Sequence, residues 1–247
     1  MVIKGIYSSA SGMQYLQLKQ EITANNLANV STTGFKKEGV FRKTLMDREK
    51  ILKMNATDFV NLEEVDIVKT DYSRGSLSVT NNPLDFAIDG NGFFAVETLN
   101  GIRYTRNGNF ILDGENYLVT TNGYRILNQN NQPIQIAPEG EVFISDDGSV
   151  TVNGEVMARL KITDFPNPYN LLKMGDGLFY DLSNLGFTPQ FDTYRIRQGV
   201  LEESNVNAIE EMAKMINTIR DFDTNQRSIL AQDQTLDRAV NEIARMR

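Results

Sequence analysis

The amino-acid sequence predicts an α+β fold, in which long N- and C-terminal helices pair as a coiled-coil-like core and flank a central antiparallel, hairpin-rich β domain. At both ends of the chain, apolar residues recur every three or four positions, which is the period of a helix packed along one side. Between the ends the period is two, and Asn-Gly or Asp-Gly pairs separate short β-prone runs. We place the N-terminal helix, a connecting segment, the β domain and the C-terminal helix at residues 1–35, 36–70, 71–200 and 201–247.

The N-terminal helix is predicted from a stripe of residues spaced by three and four, with two Gln residues in its middle. Gly12 lies in a Ser-rich cluster that forms helix poorly, so it either breaks the helix or gives a thin patch where another helix approaches closely. The run of Asn residues before Gly34 predicts the helix exit, because Asn and Gly tolerate positive φ. The stripe consists of Ile3, Ile6, Ala10, Met13, Gln17, Gln20, Ala24 and Leu27.

The central segment is predicted to be β-rich from its turn signals. Asn-Gly and Asp-Gly suit tight hairpins because both turn residues need positive φ. No comparable period appears in residues 36–70, which we interpret as a connection. The predicted turns are Asn91-Gly92, Asn100-Gly101, Asn107-Gly108, Asp113-Gly114, Asn122-Gly123, Asp147-Gly148 and Asn153-Gly154.

The C-terminal helix has the clearest periodicity in the chain. Asn207 and Glu210 resemble a capping box at its start. A helix over residues 207–246 would be about 60 Å long, which is too long for the interior of a domain of this size. Its stripe has the a/d spacing of a heptad and comprises Met212, Met215, Ile219, Phe222, Gln226, Ile229, Asp233, Leu236, Val240 and Ile243.

Composition excludes several classes of function. The 247 residues include no His, Cys or Trp, and the formal charge is −7. These absences exclude disulfides, Cys-based zinc sites and His-dependent catalytic triads. The acidic balance argues against a nucleic-acid partner, and no apolar run is long enough to span a membrane. The N-terminus also lacks the apolar region of an ordinary secretory signal.

Two local patterns raise chemical alternatives. Residues 90–95 (GNGFFA) match a dinucleotide-binding fingerprint, but the sequence continues as a strand where the fingerprint needs a helix. Paired acidic residues such as Asp146 and Asp147 resemble the carboxylates of a glycosidase, but they fit turns better. We therefore predict no catalytic residue, no cofactor and no metal ligand.

The two terminal helices are predicted to differ in length, at roughly 26 and 40 residues, so pairing within one chain would leave part of the longer stripe uncovered. Such a surface is typical of an assembly interface, and contacts that do not close into a ring build a helical polymer. All residues of both stripes are therefore candidate interface residues. A monomeric β-rich binding or hydrolytic domain with a helical stalk remains the alternative outside this class.

Four sequence segments resemble one family, the bacterial flagellar basal-body rod and hook proteins. Residues 24–36 (ANNLANVSTTGFK) are similar to the N-terminal signature of that family, and residues 199–207 (GVLEESNVN) to its C-terminal signature. Residues 83–94 (PLDFAIDGNGFF) and 104–110 (YTRNGNF) resemble its β domain. The motif residues are Asn25, Asn26, Leu27, Asn29, Gly34, Phe35, Gly90, Gly92, Phe93, Glu202, Ser204, Asn205 and Val206.

The resemblance implies a non-enzymatic structural subunit of the flagellar basal body. Members of this family are exported through the flagellum-specific type III apparatus without a cleaved signal, and they polymerise in the cell envelope and periplasm. The implied partners are further copies of the chain, other rod and hook proteins, and the export apparatus. The implied polymer is a helical drive shaft that transmits motor torque to the hook and filament.

Within the family, the length of the chain disfavours the hook protein. The distal rod protein usually carries an insertion after the N-terminal signature, whereas residues 42–70 contain no Pro or Gly and show no such segment. The resemblance therefore favours the proximal rod protein over the distal rod protein or another hook-type subunit.

Overall fold

The structure is a computed structural model that describes residues 2–44, 64–137, 142–165, 171–190 and 193–245. Over these residues the fold is α+β, with helices at both ends of the chain and antiparallel sheets between them, as the sequence predicts. The chain forms two compact units. The helical unit comprises Met1–Ala28, Glu38–Lys69 and Asn207–Arg247, and the β unit comprises Asn29–Lys37 and Thr70–Val206.

The helical unit contains helix α1 (Val2–Ala28) and helix α2 (Ala208–Arg245). They run antiparallel, because the end of α1 contacts the start of α2 while Gly12 lies beside Asn225 further along α2. The Asn26 Nδ2 group donates to Glu211 Oε2 at 3.2 Å, and a Cβ built on Gly12 would lie 3.8 Å from Asn225 Nδ2. Gly12 therefore does not break α1. Neither of these described helices is both long and apolar enough to cross a membrane.

The helical unit also contains two strands that the sequence analysis does not predict. Strands β1 (Glu38–Thr44) and β2 (Glu64–Thr70) pair with each other, within residues that we interpreted as a connection. Phe41 of β1 is 56% exposed, and the Lys69 ammonium lies 5.7 Å from its ring centre. Apolar and polar residues do not alternate throughout either strand, so the sequence shows no clear period of two there. Residues 45–63, which join them, lie outside the described residues.

The β unit is built from short antiparallel strands. The largest of its described sheets has the order β14-β15-β6-β5-β9-β8-β7, with β13 also paired to β5, and the remaining sheets are β10-β11-β12, β16-β4 and β17-β3. The strands are β3 Leu77–Val79, β4 Phe86–Gly90, β5 Phe93–Thr98, β6 Gly101–Thr105, β7 Phe110–Leu112, β8 Leu118–Thr120, β9 Arg125–Ile126, β10 Val142–Ile144, β11 Ser149–Val152, β12 Glu155–Arg159, β13 Ile162–Thr163, β14 Leu171–Lys173, β15 Leu178–Asp181, β16 Tyr194–Gln198 and β17 Val200–Glu202.

Five of the seven predicted turns connect antiparallel neighbours. They join β5 to β6, β7 to β8, β8 to β9, β10 to β11, and β11 to β12. The turns at Asn91-Gly92 and Asn107-Gly108 do not connect paired strands. Gly108 instead allows close packing of two backbones, since a Cβ there would lie 1.6 Å from the Phe86 carbonyl oxygen. The strand predicted from Phe93 onward is confirmed as β5.

The core of the β unit is apolar and continuous. It is formed by the inward-facing aliphatic residues of several strands, together with the aromatic rings of Phe86, Phe94 and Phe110. The Phe94 and Phe110 rings meet edge to face, with their centres 5.2 Å apart, an arrangement that aromatic pairs prefer. Arg106 follows directly after β6, and Glu202 is the last residue of β17.

Candidate functional site

Three charged side chains lie buried together in the β unit. The Lys36 Nζ and Glu202 Oε1 atoms are 2.5 Å apart, and the Arg106 Nη1 and Glu202 Oε2 atoms are 3.2 Å apart. The exposed fractions of Lys36, Arg106 and Glu202 are 1%, 6% and 1%. We call these three residues the charged cluster. Buried charges are costly unless they are paired and hydrogen-bonded, so both cations of the cluster depend on the Glu202 carboxylate.

Backbone groups satisfy further polar atoms of the cluster. The lysine ammonium donates to the Ser73 carbonyl at 2.8 Å. The guanidinium donates to the carbonyls of Ile88 at 3.1 Å and Gly90 at 2.9 Å. The carboxylate also accepts from the Gly75 amide at 3.1 Å. The cluster is thereby tied to several segments of backbone that are far apart in the sequence.

The cluster carries one more positive charge than negative charge. Burial lowers the pKa of Lys36, while the attraction of Glu202 opposes this shift and the nearby charge of Arg106 adds to it. Burial likewise lowers the pKa of Arg106, again opposed by Glu202. Both bases thus hold their protons less firmly in the folded chain than in water. Glu202 is the carboxylate that pairs with both cations.

Position 34 must be glycine because its backbone lies against the backbone of two cluster residues, Arg106 and Glu202. Its φ is +67°, and a Cβ there would lie 2.4 Å from the Arg106 carbonyl carbon. The Gly34 amide donates to the Glu202 carbonyl oxygen at 2.7 Å. The N-terminal motif therefore ends in a tight approach to both the central and the C-terminal motif residues.

Two asparagine side chains bind the backbone at two consecutive residues, Lys37 in the β unit and Glu38 in the helical unit. In the β unit, Asn205 Oδ1 accepts from the Lys37 amide at 2.7 Å and its Nδ2 donates to the Asp71 carbonyl at 2.9 Å. In the helical unit, Asn26 Oδ1 accepts from the Glu38 amide at 2.9 Å and its Nδ2 donates to the Glu38 carbonyl at 2.8 Å. A side-chain amide is suited to this role because it offers a donor and an acceptor together.

The other motif residues have more ordinary surroundings. Phe35 is buried, with the Lys173 ammonium 3.9 Å from its ring centre. Phe93 is buried below the Arg106 guanidinium, at 5.2 Å. Val206 is also buried, and its amide donates to Ser204 Oγ. Gly90 and Gly92 have positive φ, Leu27 and Asn29 are half-buried, and Asn25 is exposed.

The charged cluster is not predicted as a unit from the sequence. Glu202 is one of the predicted motif residues, whereas Lys36 and Arg106 are not among the predicted site residues. The sequence feature that could have revealed the cluster is that each of three motifs contains one of these charged residues among apolar or small residues. Among the residues that the structure describes, no group of three or more acidic side chains is arranged to hold a metal ion.

In the helical unit, one series of buried and half-buried positions on each helix follows steps of three and four, and we call them the inner positions. On α1 these inner positions include two polar side chains that are fully buried, Thr23 and Asn26. On α2 polar and apolar residues alternate along the buried side. The inner positions are Gly12, Leu16, Lys19, Thr23 and Asn26 on α1, and Ala208, Glu211, Met215, Thr218, Phe222, Asn225, Ile229, Gln232 and Leu236 on α2.

The predicted stripes coincide with these inner positions only in part. On α1, the predicted stripe lies one residue further along the chain than the inner positions, a rotation of about 100°. Ala10, Gln17 and Ala24 are exposed, and Met13, Gln20 and Leu27 are half-buried. On α2, Met215, Phe222, Ile229 and Leu236 lie at inner positions, whereas Met212, Ile219, Gln226 and Asp233 are exposed. The side chains of Ile3, Ile6, Val240 and Ile243 lie outside the described residues.

Four apolar residues near the start of α2 are exposed in the described part of the chain. Ile209, Met212, Ile216 and Ile219 are 81%, 50%, 52% and 42% exposed. Their steps of three and four place them on one side of the helix. We call them the α2 stripe. Contiguous exposed apolar residues of this kind are typical of a surface that binds another protein. That the predicted stripes form an assembly interface stays a prediction.

Comparison with known proteins gives matches along most of the chain. The family models "Flagella basal body rod protein", "Flagellar hook protein FlgE/F/G D1 domain" and "Flagellar basal body rod FlgEFG protein C-terminal" match residues 6–36, 87–152 and 197–242. The flagellar basal-body rod protein FlgG of Bacillus subtilis is 33% identical, with 97% of this chain and 99% of the relative covered. Rod proteins named FlgF from Rhizobium meliloti and Caulobacter vibrioides are 33% and 32% identical, with 97% and 89% of each chain covered.

The alignments with these relatives differ in the number of aligned positions at which the relative has a residue and this chain has none. The FlgG alignment has 261 positions, and 97% of 247 residues is about 240, so this chain has no residue at about 21 of them. The same arithmetic leaves about 10 such positions in the Rhizobium alignment of 250, and about one in the Caulobacter alignment of 221.

The charged cluster predicts an asymmetry between its members. Glu202→Gln leaves two buried cations without a counter-charge and should lower the free energy of unfolding by about 3–5 kcal/mol. Lys36→Met keeps the pair of Arg106 and Glu202 and should cost less than half as much. Urea denaturation with equal m-values would measure both. Equal losses in the two variants would contradict a role for the excess positive charge.

The lowered pKa of Lys36 predicts a dependence on pH. Between this lowered pKa and the ordinary value of 10.5, the unfolded chain binds more protons than the folded chain. The free energy of unfolding therefore gains a term that rises with pH in that window. The unfolding free energy of the native chain minus that of Lys36→Met should thus increase as the pH approaches 10.5. Tyrosine titration is common to both chains and cancels. If this difference in unfolding free energy stays constant or falls as the pH rises, the lowered pKa of Lys36 is contradicted.

Proposed function

The chain belongs to the family of flagellar basal-body rod proteins, and from this premise we propose how it acts as a structural subunit of the rod. Copies of the chain join one another in a helical polymer that transmits motor torque to the hook and filament. The polymer has no enzymatic task. Other rod and hook proteins bind it at its ends, and the flagellar type III export apparatus delivers the unfolded chain across the envelope without a cleaved signal.

The observation that carries this proposal is the exposed α2 stripe. A subunit that acted alone would gain stability by covering these residues, at about 25 cal/mol for each Å² of apolar surface removed from water. Both helices instead place polar residues at inner positions and leave apolar residues outside. Such a pattern suits a helix pair that becomes fully buried only in a polymer, where further helices pack in coiled-coil fashion.

We further propose that the chain is a proximal rod subunit rather than the distal one, which the name FlgG denotes. The FlgG relative has about 21 residues that this chain lacks, against about one and about 10 for the two FlgF relatives. We place this difference between residues 42 and 70, after the N-terminal motif. A subunit without the added segment takes its place on the motor side of the distal rod.

An interface formed by the α2 stripe should not tolerate added charges. Ile216→Asp with Ile219→Asp should abolish polymer formation and swimming, because two carboxylates would be buried in the interface. The free energy of unfolding should change by no more than about 1 kcal/mol, since both side chains are about half exposed. Sedimentation, urea denaturation and swimming assays, in a strain that lacks its own copy, would measure these effects.

A matched control carries the same added charge on another side of α2. Asn217 and Thr224 are exposed, so Asn217→Asp with Thr224→Asp should leave both the polymer and swimming intact. Swimming by the stripe variant, or an equal loss in the control, would count against the α2 stripe as an interface.

The rod position predicts an order of dependence. A polymer that grows outward needs its inner subunits before its outer subunits. Deletion of this chain should therefore remove the distal rod protein from purified basal bodies, whereas deletion of the distal rod protein should leave this chain in place. Mass spectrometry of basal bodies from the two deletion strains would measure this. The reverse dependence would assign this chain to the distal rod.

A further inference from the structure

The last two strands of the β unit pair with its first two strands. Strand β16 pairs with β4, where Tyr194 lies opposite Gly90, and β17 pairs with β3, where Glu202 lies opposite Leu77. More than 100 residues of chain therefore separate the partners in each pair. In the described part of the chain, β3 and β4 have no other strand partner. Residues 194–206, which we call the closing segment, thus complete structure that begins near the other end of the unit.

The closing segment also supplies part of the main apolar core. Tyr194 and Ile196 are 2% and 1% exposed, and they belong to the same core as Phe94 and Phe110. The Ile196 amide donates to the Asp146 carbonyl at 2.9 Å, which ties β16 to the turn between β10 and β11. Loss of these two side chains would leave a large cavity, and such cavities destabilise the core that remains around them.

Polar groups near both ends of the unit depend on the closing segment as well. Glu202 supplies the carboxylate between Lys36 and Arg106, and its carbonyl oxygen accepts from the Gly34 amide. The Asn205 side chain likewise bonds to the backbone just before β1 and just after β2. Without the closing segment, two buried cations would lose their counter-charge, which is strongly unfavourable away from water. Both cations would then have to move to solvent, and the segments that carry them would open.

Arg106 connects this polar network to a second apolar cluster. Its guanidinium lies 5.2 Å from the centre of the Phe93 ring, and Phe93 packs with Phe165, Leu171 and Phe179. Arg106 comes directly after β6, which is paired on both sides within the largest sheet. Movement of the guanidinium to solvent would therefore uncover Phe93 and disturb the largest sheet at the end of β6.

We propose that the β unit folds only when the closing segment is in place, so that no part of the unit is stable without it. Contacts between residues this far apart are costly to form, because a long loop must be closed before they are made. The consequence for export rests on the proposed function, in which the chain crosses the envelope unfolded. Lys36 lies near one boundary of the unit and Glu202 near the other. The unit therefore cannot fold while either end is still inside the export apparatus, whichever end leaves first.

Hydrogen exchange of the full-length chain in low concentrations of urea tests this proposal. Amides that exchange through one cooperative opening share the same opening free energy and the same dependence on urea. The Gly34 and Ile196 amides report on the two ends of the unit, and the Ala95 and Leu118 amides report on the largest sheet, because each donates to a backbone carbonyl. We expect one common opening, with opening constants that agree within about two-fold.

Glu202→Gln provides a second test and has a matched control. The substitution removes the charge with little change in shape, and it should speed exchange of all four amides by at least about 100-fold and to a similar extent. Glu203→Gln makes the same change at the next residue, whose side chain is exposed. The control should alter the four rates by less than about three-fold. The measurement on the unsubstituted chain decides the matter even if Glu202→Gln fails to fold.

Slower exchange at Ala95 and Leu118 than at Ile196, with a smaller urea dependence for Ile196, would show that the largest sheet persists while the closing segment is detached. That result would overturn the inference, as would a Glu202→Gln chain in which only Gly34 and Ile196 exchange faster. The measurements use the dissolved single chain, so they do not depend on whether copies polymerise. Absence of polymer in sedimentation would overturn the proposed function without affecting the common opening.

Discussion

The β unit depends on the burial of one carboxylate, Glu202, between two cations. An ion removed from water loses several kcal/mol of solvation, and only close partners restore it. Lys36, Arg106 and Glu202 are separated by many residues in the sequence, so the penalty is relieved only when three distant segments arrive together. A buried ion network often stabilises less than an apolar core of the same volume. We therefore interpret the charged cluster as a device that selects one arrangement of these segments.

The helical unit follows a different principle. Glu211, Thr218, Asn225 and Gln232 occupy inner positions of α2 at intervals of seven, so every heptad has a polar layer. Polar layers reduce the gain from apolar burial but discriminate between registers. Asn26 illustrates the discrimination, because its amide reaches Glu211 in one register only. The hydrogen bond between Asn26 and Glu211 thus helps to fix the register of the helix pair, while the residues of the α2 stripe stay exposed.

Much of this architecture follows from local sequence, and the exceptions have physical causes. The fold class and most hairpins are predictable because period and turn chemistry are local properties. The rotation of α2 about its own axis cannot be predicted in this way, because two neighbouring stripes, one through Met212 and one through Met215, are similarly apolar. Contacts with α1 decide between them. Strands β1 and β2 escaped prediction because their pairing partner, rather than apolar alternation, determines them. The charged cluster requires knowledge of which distant motifs meet.

The motif residues gain a physical meaning from these contacts. Gly34 is glycine because another residue would clash with the backbone at Arg106, and Asn26 and Asn205 are asparagines because each donates to and accepts from backbone groups. None of these roles involves the apolar stripes. The motifs therefore maintain the folded units, whereas the exposed residues of the α2 stripe, through which we propose that copies join, take no part in these contacts. Substitutions in the two groups should separate cleanly, the first by loss of stability and the second by loss of assembly in a chain that still folds.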